Sequence, residues 1–209
     1  MSTAPRACYG VRMGPRRILA ALAVALVALG CASEVKDRST AANAFARLAP
    51  CVDAGDARCV YAELERGSRW SIQTIHKTLA EMHALVTRSY PAGRRGDAST
   101  YGAWGDAAAA ADDAATFAAY CARRRCMEEI AGGFGAVVSV RADGAAAAKA
   151  TTTRGAVFEM AAAGGEWGLA TYGKELAMEK IRLLDALAQV RIDAGAYDEQ
   201  RRATGAPGP

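Results

Sequence analysis

The chain has 209 residues, of which 52% are hydrophobic and 23% are charged, and its mean hydropathy is near zero. This composition predicts one domain with a buried core and excludes a disordered polyelectrolyte. The net charge of +4 does not describe the chain from Cys31 onward, because four arginines and no acidic residue precede Cys31. The 22 basic residues that remain balance 22 acidic ones, so the electrostatic case for nucleic-acid binding is absent.

The first thirty residues have the pattern of an export signal. Residues 1–17 are basic, and Ile18 to Gly30 then forms an uncharged, mostly apolar run of 13 residues. As a helix this run would be about 20 Å long, too short for a hydrocarbon core of about 30 Å. We therefore assign residues 1–30 to a signal peptide that starts at Met1 or Met13, with a short buried helix as the alternative.

The apolar run ends in Val-Ala-Leu-Gly-Cys at positions 27–31. This ending resembles the lipobox of bacterial lipoproteins, in which small residues precede a cysteine that is acylated and becomes the new N-terminus. The resemblance implies that Cys31 carries the lipid and that residues 31–40 form a lipidated tether. Because Ala32 is not the aspartate that favours the inner membrane, it also implies an outer-membrane protein facing the periplasm. A plain secretory signal is the alternative.

The cysteines predict two disulfides. Of the six, Cys8 leaves with the signal and Cys31 takes the lipid, so four remain in an oxidising compartment. We favour the local pairs because each brackets a short stretch of chain; they are Cys51–Cys59 and Cys121–Cys126. The second pair requires a helix break near residues 123–125, because positions i and i+5 of one helix point to different sides; without a break, cross-pairing is favoured. Neither pair has CxxC spacing, so we predict no metal site.

Helices are predicted along the first two thirds of the chain. One covers residues 41–48, capped by Ser39 or Thr40 and broken by Pro50, and a second covers residues 56–66 and ends at Gly67. The strongest signal covers residues 71–90, where apolar residues recur every three or four positions. They are Ile72, Ile75, Leu79, Met82, Val86 and Tyr90. Ser71 is the predicted cap of this helix and Pro91 its stop. A loop at 91–103 and a helix at 106–123 follow.

From Gly132 the pattern predicts β-structure. Residues 136–141 and 147–154 flank Asp143-Gly144, a dipeptide typical of type I′ hairpins, and further strands are predicted at 157–160 and 166–172 around Gly164-Gly165. A helix at 174–197 follows. We predict an α+β fold: N-terminal helices, a three- to four-stranded antiparallel meander and a long C-terminal helix. The domain covers residues 41–197, and residues 198–209 form a disordered tail.

The order of elements and the hairpin pattern, with Asp143-Gly144, Gly155 and Gly164-Gly165-Glu166-Trp167, resemble the NTF2-like superfamily. The resemblance covers residues 41–172 and is closest to small secreted and lipoprotein members. It implies a cone-shaped α+β domain with a pocket. The long helix after the last strand departs from the usual ending of that family.

Few residues point to chemistry. His76 and His83 are the only histidines and lie about 10.5 Å apart along their predicted helix, too far to bind one metal ion. His76 is the candidate base for a pocket enzyme, and Trp70 and Trp167 are candidates to line a ligand pocket. A surface position for the histidine and core positions for the tryptophans are the alternatives. No phosphate-binding loop or HExxH motif occurs.

The function that the sequence favours is a non-catalytic binding or interaction module held on the membrane by its lipid. No cofactor is predicted, and the candidate partners are an envelope protein or a small apolar ligand. The alternative is a small NTF2-like enzyme, an isomerase or hydrolase, that uses His76. A third hypothesis is self-association through the leucine-rich face of the terminal helix, which requires that face to be exposed.

Overall fold

The computed structural model describes residues 37–95 and 101–205. These residues form an α+β fold of N-terminal helices, a four-stranded antiparallel sheet and a long C-terminal helix, which confirms the predicted class. The signal peptide, Cys8, Cys31 and most of the tether lie outside the described residues. None of the described helices is both long enough and apolar enough to cross a membrane.

Three short helices open the domain: α1 (Ala41–Ala46), α2 (Leu48–Asp53) and α3 (Ala57–Glu63). Thr40 caps α1 as predicted, because its hydroxyl oxygen accepts a hydrogen bond from the amide of Asn43. The break predicted at Pro50 is wrong, because Pro50 is the third residue of α2. The amides of a first helical turn have no partner within the helix, so proline costs little there. The predicted disulfide Cys51–Cys59 is confirmed and joins α2 to α3.

The long helix α4 (Arg66–Ser89) carries the predicted apolar stripe, and all six residues of that stripe are buried. It begins five residues earlier than expected. The carboxylate of Glu65 accepts hydrogen bonds from the amides of Gly67 and Ser68, so this side chain caps the helix. Gly67, the predicted stop of the preceding helix, is therefore the second residue of α4, and Ser71 lies inside it. Tyr90 and Pro91 end the helix as predicted.

Short 3₁₀ helices at Ala92–Arg94 and Gly102–Ala107 precede α5 (Asp113–Arg124) and α6 (Cys126–Gly133). The required break is present, because Arg125 has a left-handed backbone with φ of 58°. The predicted Cys121–Cys126 disulfide is nevertheless absent. Both residues are buried as free thiols, one at the end of α5 and the other at the start of α6. The neighbouring thiol of Cys126 and burial raise the pKa of Cys121.

The sheet is a simple meander of β1 (Val137–Ala142), β2 (Ala147–Thr152), β3 (Val157–Ala163) and β4 (Glu166–Leu169). The type I′ turn predicted at Asp143-Gly144 is wrong, because only Gly144 has positive φ and residues 143–146 form a four-residue loop. The two-residue turn with positive φ at both positions lies at Gly164-Gly165, between β3 and β4.

The terminal helix α7 (Gly173–Thr204) extends beyond the predicted end at Tyr197, into the segment that we predicted to be disordered. Its apolar face packs against α4, in the most extensive helix–helix contact of the described chain. The buried residues are Leu176, Leu183, Leu187, Val190 and Ala194. Self-association through this face is therefore excluded, because the face is already covered. Near the same contact the Tyr90 hydroxyl donates to the Asp193 carboxylate at 3.3 Å.

Candidate functional site

A cleft of about 590 Å³ lies where the start of α4 meets the β3–β4 turn. Arg66, Arg69 and Trp70 line it from α4, and Trp167 lines it from β4. The remaining wall includes Arg38, before α1, and side chains around the end of α3. Two of the predicted ligand-binding residues, Trp70 and Trp167, are thus brought together from positions almost 100 residues apart in the sequence. We refer to this cavity as the arginine–tryptophan cleft.

The helical spacing explains one wall of the cleft. Arg66, Arg69, Trp70 and Gln73 are separated by three or four positions, so their side chains share one face of α4. Trp70 is exposed on this face, and the ammonium group of Lys180 from α7 lies 4.2 Å from the centre of its ring. A cation over an indole ring is an attractive contact that restricts the ring.

A close backbone approach fixes the opposite wall. The amide of Glu65 donates a 2.9 Å hydrogen bond to the carbonyl of Leu169, so β4 is attached directly to the start of α4. Gly168 allows this approach, because a Cβ at that position would lie 2.6 Å from the Glu65 nitrogen. The neighbouring Trp167 donates its amide to the carbonyl of Arg38 at 2.9 Å. The first described residues are therefore fixed to the wall that carries Trp167.

A buried carboxylate holds the Arg38 side of the cleft. Glu63 is 7% exposed and accepts hydrogen bonds from Arg38 Nη2 at 3.0 Å and from Arg47 Nε and Nη2 at 3.0 and 2.8 Å. Burial alone would raise the pKa of Glu63, but the two guanidinium groups outweigh it, so the pKa lies below its ordinary value. This cluster is fully paired and positions Arg38.

The other two arginines of the cleft are in a different situation. Neither Arg66 nor Arg69 forms an ion pair with any residue in 37–95 or 101–205. The Nε of Arg69 is buried and has no hydrogen-bond acceptor there. Close by, burial and the carboxylate of Asp113 raise the pKa of Tyr61, while the charge of Arg69 lowers it. Three carboxylates, those of Glu65, Asp113 and Glu166, line the cleft as well, so its walls carry both signs of charge.

The histidines lie elsewhere. His83 is exposed, and His76 is half-buried outside the lining of the cleft. His76 Nδ1 is 3.0 Å from the hydroxyl oxygen of Thr116, which itself donates to the carbonyl of Asp112 at 3.1 Å. Because a hydroxyl has one proton, Nδ1 of a neutral His76 must be the donor of this pair. His76 thus connects α4 to the start of α5, which is a structural role.

The described residues include no group of three or more His, Cys, Asp or Glu side chains that could hold a metal ion. Sequence reasoning missed the arginines of the cleft. The signal was present, since Arg66, Arg69 and Trp70 have helical spacing, but the predicted helix began only at Ser71. Comparisons with known proteins add no relative, because no family model, no curated protein and no solved structure matches this chain. The resemblance to NTF2-like proteins stays a prediction.

Proposed function

We propose that the chain is a bacterial lipoprotein, anchored to the outer membrane through Cys31 and facing the periplasm. We further propose that its domain is a non-catalytic binding module and that the arginine–tryptophan cleft is its binding site. One observation carries the anchoring proposal: an apolar run too short to span a bilayer is followed at once by a cysteine.

The described domain is consistent with this placement. Its Cys51–Cys59 disulfide is of the kind that persists in oxidising compartments outside the cytoplasm. Arg38, seven positions after Cys31 in the sequence, is part of the fold, because its carbonyl accepts a hydrogen bond from the amide of Trp167 in β4. A short tether of this kind holds a domain close to the membrane surface.

The position of His76 supports binding rather than catalysis. A general base must reach the proton that it removes, within about 3 Å or through one water molecule. His76 lies outside the lining of the cleft, and its Nδ1 is bonded to Thr116. The cleft itself offers guanidinium groups, carboxylates and indole rings, which hold charged and apolar groups.

Metabolic labelling with a fatty-acid analogue, followed by membrane fractionation, tests the anchor. We expect the wild-type protein to carry the label and to be found in the outer membrane, and Cys31→Ser to lose both properties. Cys8→Ser is the matched control, because this cysteine leaves with the signal and its loss should change nothing. A native protein that retains Met1 or Met13 and an unmodified Cys31 thiol would refute the proposal.

A further inference from the structure

The terminal helix α7 is apolar on two opposite sides. One side packs against α4, but the other carries exposed apolar residues that recur every three or four positions. We call this second side the outer stripe, and it consists of Met178, Ile181, Leu184, Ala188, Ile192 and Gly195. Ile181 is 56% exposed and Ile192 is 66% exposed. Because a surface helix normally carries polar residues on the side away from the core, the outer stripe indicates a surface that a partner covers.

Two small residues lie between the large side chains of the outer stripe. Ala188 and Gly195 are both exposed, and nothing in the rest of the described fold lies within 4 Å of the position that a Cβ of Gly195 would take. Glycine weakens the interior of a helix, and no contact in the described fold requires it here. Small residues between large ones let a second helix approach closely, with its own large side chains beside them.

The two ends of the outer stripe carry opposite charges. Lys174 lies four positions before its first residue, and Glu199 lies four positions after its last. Both side chains are exposed, and neither forms an ion pair within residues 37–95 and 101–205. Lys174 is also in the first turn of α7, where the macrodipole disfavours a positive charge. Two antiparallel copies of this helix would place each Lys174 beside Glu199 of the other copy.

The same antiparallel register matches the apolar residues of the outer stripe. Ile181 and Ile192 each lie seven positions inward from these two charges, so each isoleucine opposes the other one in the second copy. Every contact then occurs twice, as in a two-fold homodimer, and Ala188 lies next to the axis. Asp185 lies at the rim of the stripe, where solvent screens its charge from that of its copy. The surface is therefore complementary to itself in both apolar character and charge.

We propose that the outer stripe is a homodimer interface, in which α7 packs antiparallel against α7 of a second copy of this chain. A membrane surface fits the stripe less well. Helices that lie on anionic lipids carry lysine and arginine beside their apolar side, whereas Asp185 and Glu199 border this one. The interface does not depend on acylation of Cys31.

Cross-linking of the full chain in intact cells tests the interface. Ala188→Cys places a thiol next to the proposed axis, where a short bismaleimide joins two copies, and we expect a product of twice the mass of the chain. Gln189→Cys is the matched control. Position 189 is also exposed but points about 100° away on the helix, so it should cross-link at least about tenfold less. The wild type measures the background from the native cysteines.

Reversal of the terminal charges tests the antiparallel register. In the Ala188→Cys chain, Lys174→Glu and Glu199→Lys should each lower the cross-linked fraction at least about fivefold, because two attractive pairs become repulsive. The double reversal should restore cross-linking. The two positions lie about 37 Å apart along one helix, so this restoration can arise only between two chains. Failure of the double reversal to restore cross-linking would overturn the proposal.

Ile192→Ser tests the apolar contact and should lower the cross-linked fraction of the Ala188→Cys chain at least about fivefold, because the contact is lost from both halves of the dimer. Val138→Ser is the matched control, because Val138 is 64% exposed on the edge strand β1, outside the outer stripe. An equal loss in Val138→Ser would assign the association to the sheet edge and overturn the proposal. Absence of a cross-linked product, or a product whose mass shows a different protein, would also overturn it.

Discussion

Replacing Glu63 with glutamine tests the cluster that holds one side of the cleft. The variant keeps the shape of the side chain but removes its negative charge and one of its two carboxylate oxygens. Three hydrogen bonds from guanidinium groups then lose part or all of their acceptor. The amide group of the new side chain also faces donors instead of pairing with them.

The size of the effect follows from burial. A hydrogen bond to a charged group contributes about 1.5–3 kcal/mol, and breaking one partner of a buried pair costs about 3–5 kcal/mol. The side chains of Arg38 and Arg47 are 15% and 31% exposed, so water compensates for part of the loss. We therefore expect Glu63→Gln to lower the free energy of unfolding by about 2 kcal/mol, within the range of these contributions.

Urea unfolding followed by circular dichroism measures this difference as a shift in the midpoint at unchanged slope. The pKa of Glu63 is lowered in the folded protein, so its stabilisation is present above the ordinary value of 4.5 and is lost as the pH falls through the folded-state pKa. The wild type and the variant should therefore differ at neutral pH and converge in acid.

Glu128→Gln is the control, because Glu128 pairs with Arg125 at the exposed surface and its loss should leave the midpoint almost unchanged. If Glu63→Gln is as stable as the wild type at neutral pH, or if the difference persists in acid, then the charge of Glu63 does not stabilise the fold and the reasoning is wrong.

Three further predictions concern the rest of the fold. Gly132→Ala should raise the free energy of unfolding by about 0.5 kcal/mol, because nothing obstructs a Cβ on this helical residue. Gly133→Ala should lower it by about 1–3 kcal/mol, because its Cβ would lie 2.6 Å from that of Ala156. Urea unfolding of both variants measures the two differences. Burial raises the pKa of Tyr90 to about 12, so the stability that this side chain contributes is present below pH 10 and is lost as the pH rises through 12. Alkaline unfolding of the wild type and of Tyr90→Phe should show this loss of stability in the wild type alone. Cys121 should resist alkylation in the native protein and react rapidly once unfolded, and peptide mass mapping that finds equal rates would contradict its burial.

The sequence predicts the class and order of elements because periodic burial is a local signal. The stripe from Ile72 to Tyr90 repeats at helical spacing over five turns, so contacts with the rest of the fold did not alter the predicted helix. The start of α4 was missed because two local signals misled. Glutamate is not among the preferred N-cap residues, and Gly67 has the appearance of a helix stop.

The cleft was harder to predict for a different reason. Its two walls meet only because the residues before α4 pair with β4, through Glu65 and Leu169. This contact joins residues about 100 positions apart, and no pattern within either segment specifies it. The sequence indicated Trp70 and Trp167 as candidates to line a ligand pocket, but only the folded chain brings them to one cavity.

The arginines at this end of the fold divide into two kinds, and the division bears on function. Arg38 and Arg47 share one buried carboxylate, so their role is complete within the fold. Arg66 and Arg69 occupy the first turn of a helix, where the macrodipole disfavours positive charge, and they have no such partner among the described residues. A stabilising role would be better filled there by an acidic or neutral side chain. The carboxylate of Glu65, which caps this helix, offsets that field, and Asp113 and Glu166 add two further carboxylates to the same cleft. The cleft therefore presents both signs of charge to any group that enters it.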